Sequence, residues 1–206
     1  MKQIDLVVAT RNKKKLKEIR ELLADYPFCI TSLADYRRLP AIVEDGRTFA
    51  DNAKKKALTI ASALNKLTLG EDSGLEVDAL GGRPGVYSAR YSGENATDER
   101  NNKKLLEELK GVCRLKRKAR YVCSVALADG NGLVGVVEGY CSGRIAFEEK
   151  GSAGFGYDPL FLIPKYNKTF GELGEKIKHT MSHRSKALKK ARSLIAAYQK
   201  SYRPSL

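Results

Sequence analysis

The sequence predicts an α/β protein built around a mixed sheet, and three observations carry that expectation. Apolar runs of strand length alternate with stretches whose apolar residues recur at helical spacing. Two of the runs flank Asp129-Gly130-Asn131-Gly132, a turn that makes its strands an antiparallel hairpin, so the sheet cannot be purely parallel. No internal repeat or low-complexity linker divides the 206 residues, which fit a single domain, 1–206, of one or two lobes.

Along the chain, Ile4 to Ala9 is a continuous apolar run that ends in the polar turn Thr10-Arg11-Asn12. Leu16, Ile19, Leu22 and Leu23 then recur at helical spacing, giving strand, loop and helix. Thr48-Phe49-Ala50-Asp51 reads as a capping box with Asp in the usual Glu position. It opens a second helix whose apolar stripe is Ala53, Ala57, Ile60, Ala61 and Leu64 and which ends near Asn65. Leu67 to Leu69 leads into Glu71-Asp72-Ser73-Gly74, and Leu75, Val77 and Ala79 alternate before the turn Gly81-Gly82-Arg83-Pro84-Gly85. This stretch reads as strand ends meeting at a site. Thr97 caps a third helix with Leu105, Leu106 and Leu109 inward, and Tyr121 to Ala128 pairs with Leu133 to Tyr140. A last helix, roughly 182–200, turns Leu188, Ala191, Leu194, Ile195 and Tyr198 inward; 201–206 is expected to be loose.

Composition narrows the function classes. Hydrophobic residues make up 42% of the chain, and no apolar run approaches the roughly 18 residues of a membrane span. A strand explains the N-terminal run better than a secretion signal does, because Arg11 begins a basic stretch and no small-residue cleavage site follows; a soluble, cytoplasmic protein is expected. Cys29, Cys113, Cys123 and Cys141 form no CxxC pair and there are only two histidines, so a structural zinc site is poorly supported. The cysteines read as reduced, buried side chains of strands. The formal charge of +14 concentrates polyanions, whether nucleic acid, a nucleotide or an acidic membrane surface, and reads equally as a solvated basic surface.

Position separates these. Thr10, Asn12 and Lys15 sit where a buried strand passes into a helix, whose exposed amides attract phosphate, although Arg11 to Lys17 also reads as the wet face of that helix. It is not a GxxxxGK[ST] loop. Asn52 and Lys56 share a helix face, opposite the apolar stripe, while Lys54 and Lys55 point elsewhere. Glu44, Glu71 and Asp72 are the metal candidates, since magnesium takes one or two carboxylates and completes its shell with waters and phosphates; Asp72 is also placed to deprotonate a water. In Gly154-Phe155-Gly156-Tyr157-Asp158-Pro159 two glycines bracket an aromatic on which a base could stack, or form a turn around a core ring. Ser182-His183-Arg184 opens the last helix with several donors, and Lys178 lies just before it. A nucleic-acid-binding protein would interleave basic residues with exposed aromatics; here the conspicuous lysines flank acids and glycine turns, which favours a free nucleotide.

Read together, these segments resemble the inosine triphosphate pyrophosphatase family, the dITP/XTP or non-standard purine NTP pyrophosphatases, in order across nearly the whole chain. The resemblance rests on Ala9-Thr10-Arg11-Asn12 with Lys15, Thr48-Phe49 with Asn52-Ala53 and Lys56-Ala57, Glu71-Asp72-Ser73-Gly74-Leu75, 80–90, Gly154 to Pro159 and Ser182-His183-Arg184. Departures are Glu71 and Asp51, where Asp and Glu are common, and Ser152-Ala153 before Gly154. The resemblance implies a two-lobed α/β fold with a central mixed, twisted sheet, flanking helices and a cleft between the lobes, Mg2+ dependence and a homodimer. It implies a purine nucleoside triphosphate substrate, and neither a membrane nor a stable nucleic-acid complex as partner. It assigns Thr10, Arg11, Asn12, Lys13, Lys14, Lys15, Lys56 and Arg90 to the triphosphate, and Glu44, Glu71 and Asp72 to the metal, with Asp72 as general base. Phe155, Gly156, Tyr157, Asp158, Lys178, His183 and Arg184 fall to the base and neighbouring groups, with Ser73 also near the substrate.

Overall fold

Short apolar segments set the framework of the structure, a computed structural model that describes residues 4–201. In chain order the elements are β1 (Ile4–Val8), α1 (Lys13–Leu22), β2 (Phe28–Ser32), α2 (Phe49–Leu64), β3 (Thr68–Val77) and α3 (Asp98–Glu108). They continue with β4 (Lys118–Asp129), β5 (Gly132–Ile145), β6 (Phe161–Ile163), β7 (Lys168–Thr169), α4 (Phe170–Met181) and α5 (His183–Ser201). The strands form a 7-stranded sheet in the order β2-β1-β3-β4-β5-β6-β7. It is mixed, as expected: β1 is parallel to β2 and β3, whereas β6 is antiparallel to β5 and β7. Gly130-Asn131 alone separates the neighbours β4 and β5, and so short a link permits only an antiparallel pair.

The chain divides into two compact units. The first comprises Met1–Asp72, Cys123–Gly139 and Arg184–Leu206, the second Ser73–Val122 and Tyr140–His183. In the first, strand alternation sorts the core. Leu6, Val8, Leu69, Cys123, Val125 and Leu127 pack with Ile19 of α1 and with Ala187, Leu188, Ala191 and Ile195 of α5. Val7 and Ala9 pack instead with Ile60 of α2, and Ala126 and Ala128 with Ala53, Ala57 and Ala61. Each fully buried Leu or Ile contributes about 1.5–3 kcal/mol. The second unit closes around Leu75, Val77, Leu105, Leu109, Tyr121, Leu160, Phe161 and Phe170.

Caps fix the helix starts. The Asn12 side chain accepts from the Lys15 amide, Thr48 from Asp51 and Thr97 from Arg100, while Asn65 ends α2 in the left-handed region. The α4 helix went unread in the sequence although Thr169 and Glu172 form a full capping box at its start.

Several expectations need correction. Glu71 and Asp72 lie inside a continuous 10-residue strand, not at meeting strand ends. Asn52 and Lys56 are buried, on the edge of the apolar stripe of α2 and not opposite it; the small Ala53 and Ala57 let that face approach the sheet and carry its polar neighbours inward. Cys123 and Cys141 are buried as expected, but Cys29 and Cys113 are exposed, the latter outside any strand. Lys178 does lie just before α5, as expected, within a helix of its own, α4. Ser201 closes α5, and 202–206 lie outside the described residues. Among the described residues no helix is long and apolar enough to cross a membrane.

Candidate functional site

Register places the acids. Val8, the last residue of β1, pairs with Leu69 of β3, and β3 then runs on through Gly70, Glu71 and Asp72. The acids therefore stand beyond the carboxyl end of β1, beside the loop that opens α1, the position where parallel sheets usually hold ligands. Successive residues of a strand face opposite sides, so the two neighbouring carboxylates separate.

Glu71 turns to the side of α1 and α5. Its Oε2 lies 2.9 Å from Lys15 Nζ, while its Oε1 accepts from Arg184 Nη2 at 3.0 Å and from the Cys123 thiol at 3.4 Å. Arg184 also donates to Glu18 of α1 and is only 1% exposed. Burial alone would lower its pKa, but Glu71 and Glu18 outweigh that and hold it above the usual arginine value. Burial, with the Glu71 carboxylate added, pushes the Cys123 thiol well above its ordinary pKa, so it stays protonated.

Asp72 turns to α2. Gly70 permits the approach, because a Cβ there would stand 2.2 Å from the Ala53 carbonyl oxygen and 2.6 Å from the Ala57 nitrogen. Asn52 Nδ2 donates to Asp72 Oδ2 at 3.1 Å, and its Oδ1 accepts the Gly46 amide at 2.8 Å, tying the segment that carries Glu44 to the strand. Lys56 Nζ lies 3.0 Å from Asp72 Oδ1, 2.8 Å from Glu44 Oε2 and 3.2 Å from the Glu71 carbonyl. Its burial opposes the charge, yet Asp72, Glu44 and Glu71 together raise its pKa above the ordinary lysine value. The sequence-predicted Glu44, Lys56 and Asp72 are thus brought together, as are Lys15, Glu71 and Arg184. Thr10 uses its hydroxyl to accept the Asn12 amide, and Arg11, Asn12, Lys13 and Lys14 are exposed along the start of α1.

Among the described residues no group of three or more His, Cys, Asp or Glu side chains is arranged to hold a metal ion. Glu44 and Asp72 nevertheless fit magnesium: hard carboxylate oxygens from two segments converge on one cationic point, now the Lys56 ammonium, and magnesium asks for no more than that from protein.

The second unit holds the other predicted residues. Asp158, 1% exposed, receives Lys178 Nζ on Oδ2 at 2.7 Å, the Phe155 amide on Oδ2 at 2.9 Å and the Tyr121 hydroxyl on Oδ1 at 3.3 Å. Gly154 has φ 81°, and a Cβ there would meet Asp158 Oδ2 at 2.1 Å, so the loop needs glycine twice over. Lys178 Nζ sits 4.7 Å from the centre of the Phe155 ring, and His183 stacks on Tyr121 with centroids 4.5 Å apart. Tyr157 is buried and Gly156 half-buried; Ser73 is half-buried in β3; Arg90 is exposed, its guanidinium 5.1 Å from the Tyr87 ring centre. Residues missed in the sequence include Glu18, which shares the inward phase of Lys15, Ile19 and Leu22, and Tyr121, whose only signal was a place in an apolar strand.

Fold and side chains define an α/β mixed-sheet protein with carboxylates and lysines clustered beyond the carboxyl end of β1. The chain belongs to the Ham1 family, which its residues 6–194 match. A protein of Desulforamulus reducens named dITP/XTP pyrophosphatase is 51% identical over 190 residues, 92% of this chain and 94% of the relative. One of the same name from Bacillus subtilis is 44% identical over 193 residues, 94% and 98% of the two chains. Among solved structures, the Ham1 protein of Staphylococcus aureus is 36% identical with a TM-score of 0.84, covering 94% of this chain and 99% of that one. The resemblance carried by the motifs is borne out.

Proposed function

We propose that the chain hydrolyses non-standard purine nucleoside triphosphates, ITP, dITP and XTP, to the monophosphate and pyrophosphate. The observation that carries this reading is the convergence of Glu44, Asp72 and Asn52 on and around Lys56, next to Lys15 on Glu71, in a member of the Ham1 family. Relatives about 50% identical bear the name dITP/XTP pyrophosphatase.

Asp72 takes a proton from water as the water oxygen bonds to the α-phosphorus, and the bond from that phosphorus to the bridging oxygen breaks, releasing pyrophosphate. Asn52 fixes Asp72 Oδ2, leaving the carboxylate one orientation. Lys56 and Lys15 offset charge on the departing phosphates, and Arg90 is assigned to the same task. Glu44 and Asp72 would hold magnesium, which when bound neutralises phosphate charge and makes water more acidic. Glu71 orients Lys15 through its ion pair.

In the second unit Phe155 stacks on the base, and donors near it pair with the oxygen at position 6 of hypoxanthine or xanthine. Adenine offers an amino group there, so donors left unpaired disfavour ATP. Lys178, whose ammonium lies 4.7 Å from the centre of the Phe155 ring, and His183 belong to the same unit as that ring and carry this role, whereas Arg184 belongs to the first unit. On the family resemblance alone, the protein works as a cytoplasmic homodimer on free nucleotides.

Pyrophosphate release from ITP, XTP, dITP, GTP, ATP, dUTP and TTP, with magnesium and with a chelator, tests the reading. Preference for ITP and XTP with magnesium is expected. Equal rates across the panel would discard the selectivity, and full activity in chelator would remove the metal.

A further inference from the structure

The first two turns of α3 lie outside every motif, yet they grip two segments of the second unit, the loop after Phe155 and the end of a 3-10 helix, Gly85–Arg90. Asp98 Oδ2 accepts the Gly156 amide at 2.9 Å, and Asn102 Nδ2 donates to the Gly156 carbonyl at 3.2 Å. Residues four apart share a helix face, so one face of α3 satisfies both backbone groups of the residue that follows Phe155. Gly156 has φ 63°, a conformation most side chains avoid, and the helix holds it there. The Asn102 amide has only one workable orientation. Its Nδ2 also faces Glu149 Oε2 at 3.3 Å, and turning the group over would set its oxygen against two acceptors.

The neighbouring residue does the same for a different segment. Asn101 Nδ2 donates to the carbonyls of Ser88 and Ala89 at 3.4 and 3.3 Å, and its Oδ1 accepts the Ser92 amide at 2.8 Å, so Asn101 brackets Arg90 on both sides. Tyr157, two residues after Phe155, donates its hydroxyl to the same Ser88 carbonyl at 2.8 Å. The helix that carries these side chains is itself fixed, capped by Thr97 and anchored by Leu105 and Leu109 in the apolar core. Asn101 and Asn102 are 4% and 2% exposed. Burying two amides in a helix gains little stability over apolar side chains; what it gains is a single arrangement of the groups they bond.

We propose that Asp98, Asn101 and Asn102 are positioning residues that hold the Phe155 loop and the Arg90 segment in one fixed relation and thereby set the base selectivity of the hydrolysis. This rests on the reading of Phe155 as the residue that stacks on the base. The half-exposed Asp98 is the cleanest probe, because its substitution leaves the core untouched.

The test measures kcat and KM for ITP and ATP, and inhibition by inorganic tripolyphosphate, in Asp98→Ala, Asp98→Asn, Asn102→Ala and Phe155→Ala. Loss of one charge-assisted hydrogen bond corresponds to about tenfold. Asp98→Ala and Asn102→Ala should each raise KM for ITP by about that factor and narrow the preference over ATP. Both should leave kcat and tripolyphosphate inhibition unchanged, and Asp98→Asn, which keeps an acceptor oxygen, should recover most of the loss. If Asn102→Ala does not fold, Asp98→Ala decides alone. A raised KM in Phe155→Ala with wild-type KM and selectivity in Asp98→Ala would overturn the bracket while leaving the stacking reading intact. An unaltered Phe155→Ala would remove both. A drop in kcat and melting temperature in Asp98→Ala, with no recovery in Asp98→Asn, would reduce these residues to structural supports.

Discussion

In the first unit Lys15, Lys56 and Arg184 each meet carboxylates from other elements, and Glu71 alone receives Lys15, Arg184 and Cys123. In the second, Tyr121 gathers His183, Phe161 and Phe170 around it, and the buried ion pair of Lys178 with Asp158 runs beside Phe155. The first arrangement suits a polyanion and a proton transfer, the second a flat, weakly charged ring. They also differ in tolerance. Removing one member of a buried charge network strands its partners, whereas trimming one ring from a stack leaves the rest in contact.

The largest effect should come from Asp72→Asn, which removes the proposed base while keeping the shape that meets Asn52 and Lys56. Turnover should fall roughly 10²- to 10⁴-fold in a chain that still folds, since Glu44 keeps Lys56 paired, and near-normal turnover would remove Asp72 from the role of base. Next, Arg184→Met should take from buried Glu18 its arginine partner and leave Glu71 with Lys15 as its remaining cation. Stability should drop by about 3–5 kcal/mol in urea unfolding; a change under about 1 kcal/mol would mean that the network is not what holds α5 against α1 and β3. Phe155→Ala should be milder, raising KM for ITP about tenfold with kcat little changed, as expected for one lost stacking contact. A kcat loss as large as that of Asp72→Asn would erase the contrast between the units.

Much of this was legible before any coordinates. Capping residues announced α2 and α3, and the Asp129–Gly132 turn announced the hairpin, because those signals are local. The site residues were legible as types: Glu44, Lys56, Asp72 and Lys15 do gather in their pairs. What the sequence hid depends on distant packing. Nothing near Arg184 says that its partners are residues 18 and 71, and Asn52 and Lys56 read as lying opposite the apolar stripe of α2, whereas the small Ala53 and Ala57 of that stripe draw these polar neighbours inward. The separation of Glu71 from Asp72 onto opposite faces needs only the assignment of one unbroken strand, a step that reading the stretch as strand ends meeting at a site leaves out.

The smallest effect separates the units at high pH. In the first unit carboxylates raise the folded-state pKa of Lys56 because they favour its charged form, overcoming burial. In the second unit burial, reinforced by the Glu108 carboxylate at 2.6 Å, raises that of Tyr91 because both disfavour its charged form. Each pKa is higher folded than unfolded, so each group's stabilising contribution is complete below its unfolded value and is lost as pH rises through the folded one. For Tyr91 that decline begins near 10.0 and for Lys56 near 10.5. Urea midpoints measured from pH 9 upward should therefore fall, and Tyr91→Phe, which cannot ionise, should flatten the earlier part of the fall while Lys56→Met flattens the later part. Identical alkaline curves for both variants and the parent would mean that neither group feels a different environment in the folded chain, and the charge network around Lys56 would then be as loosely coupled as a surface pair.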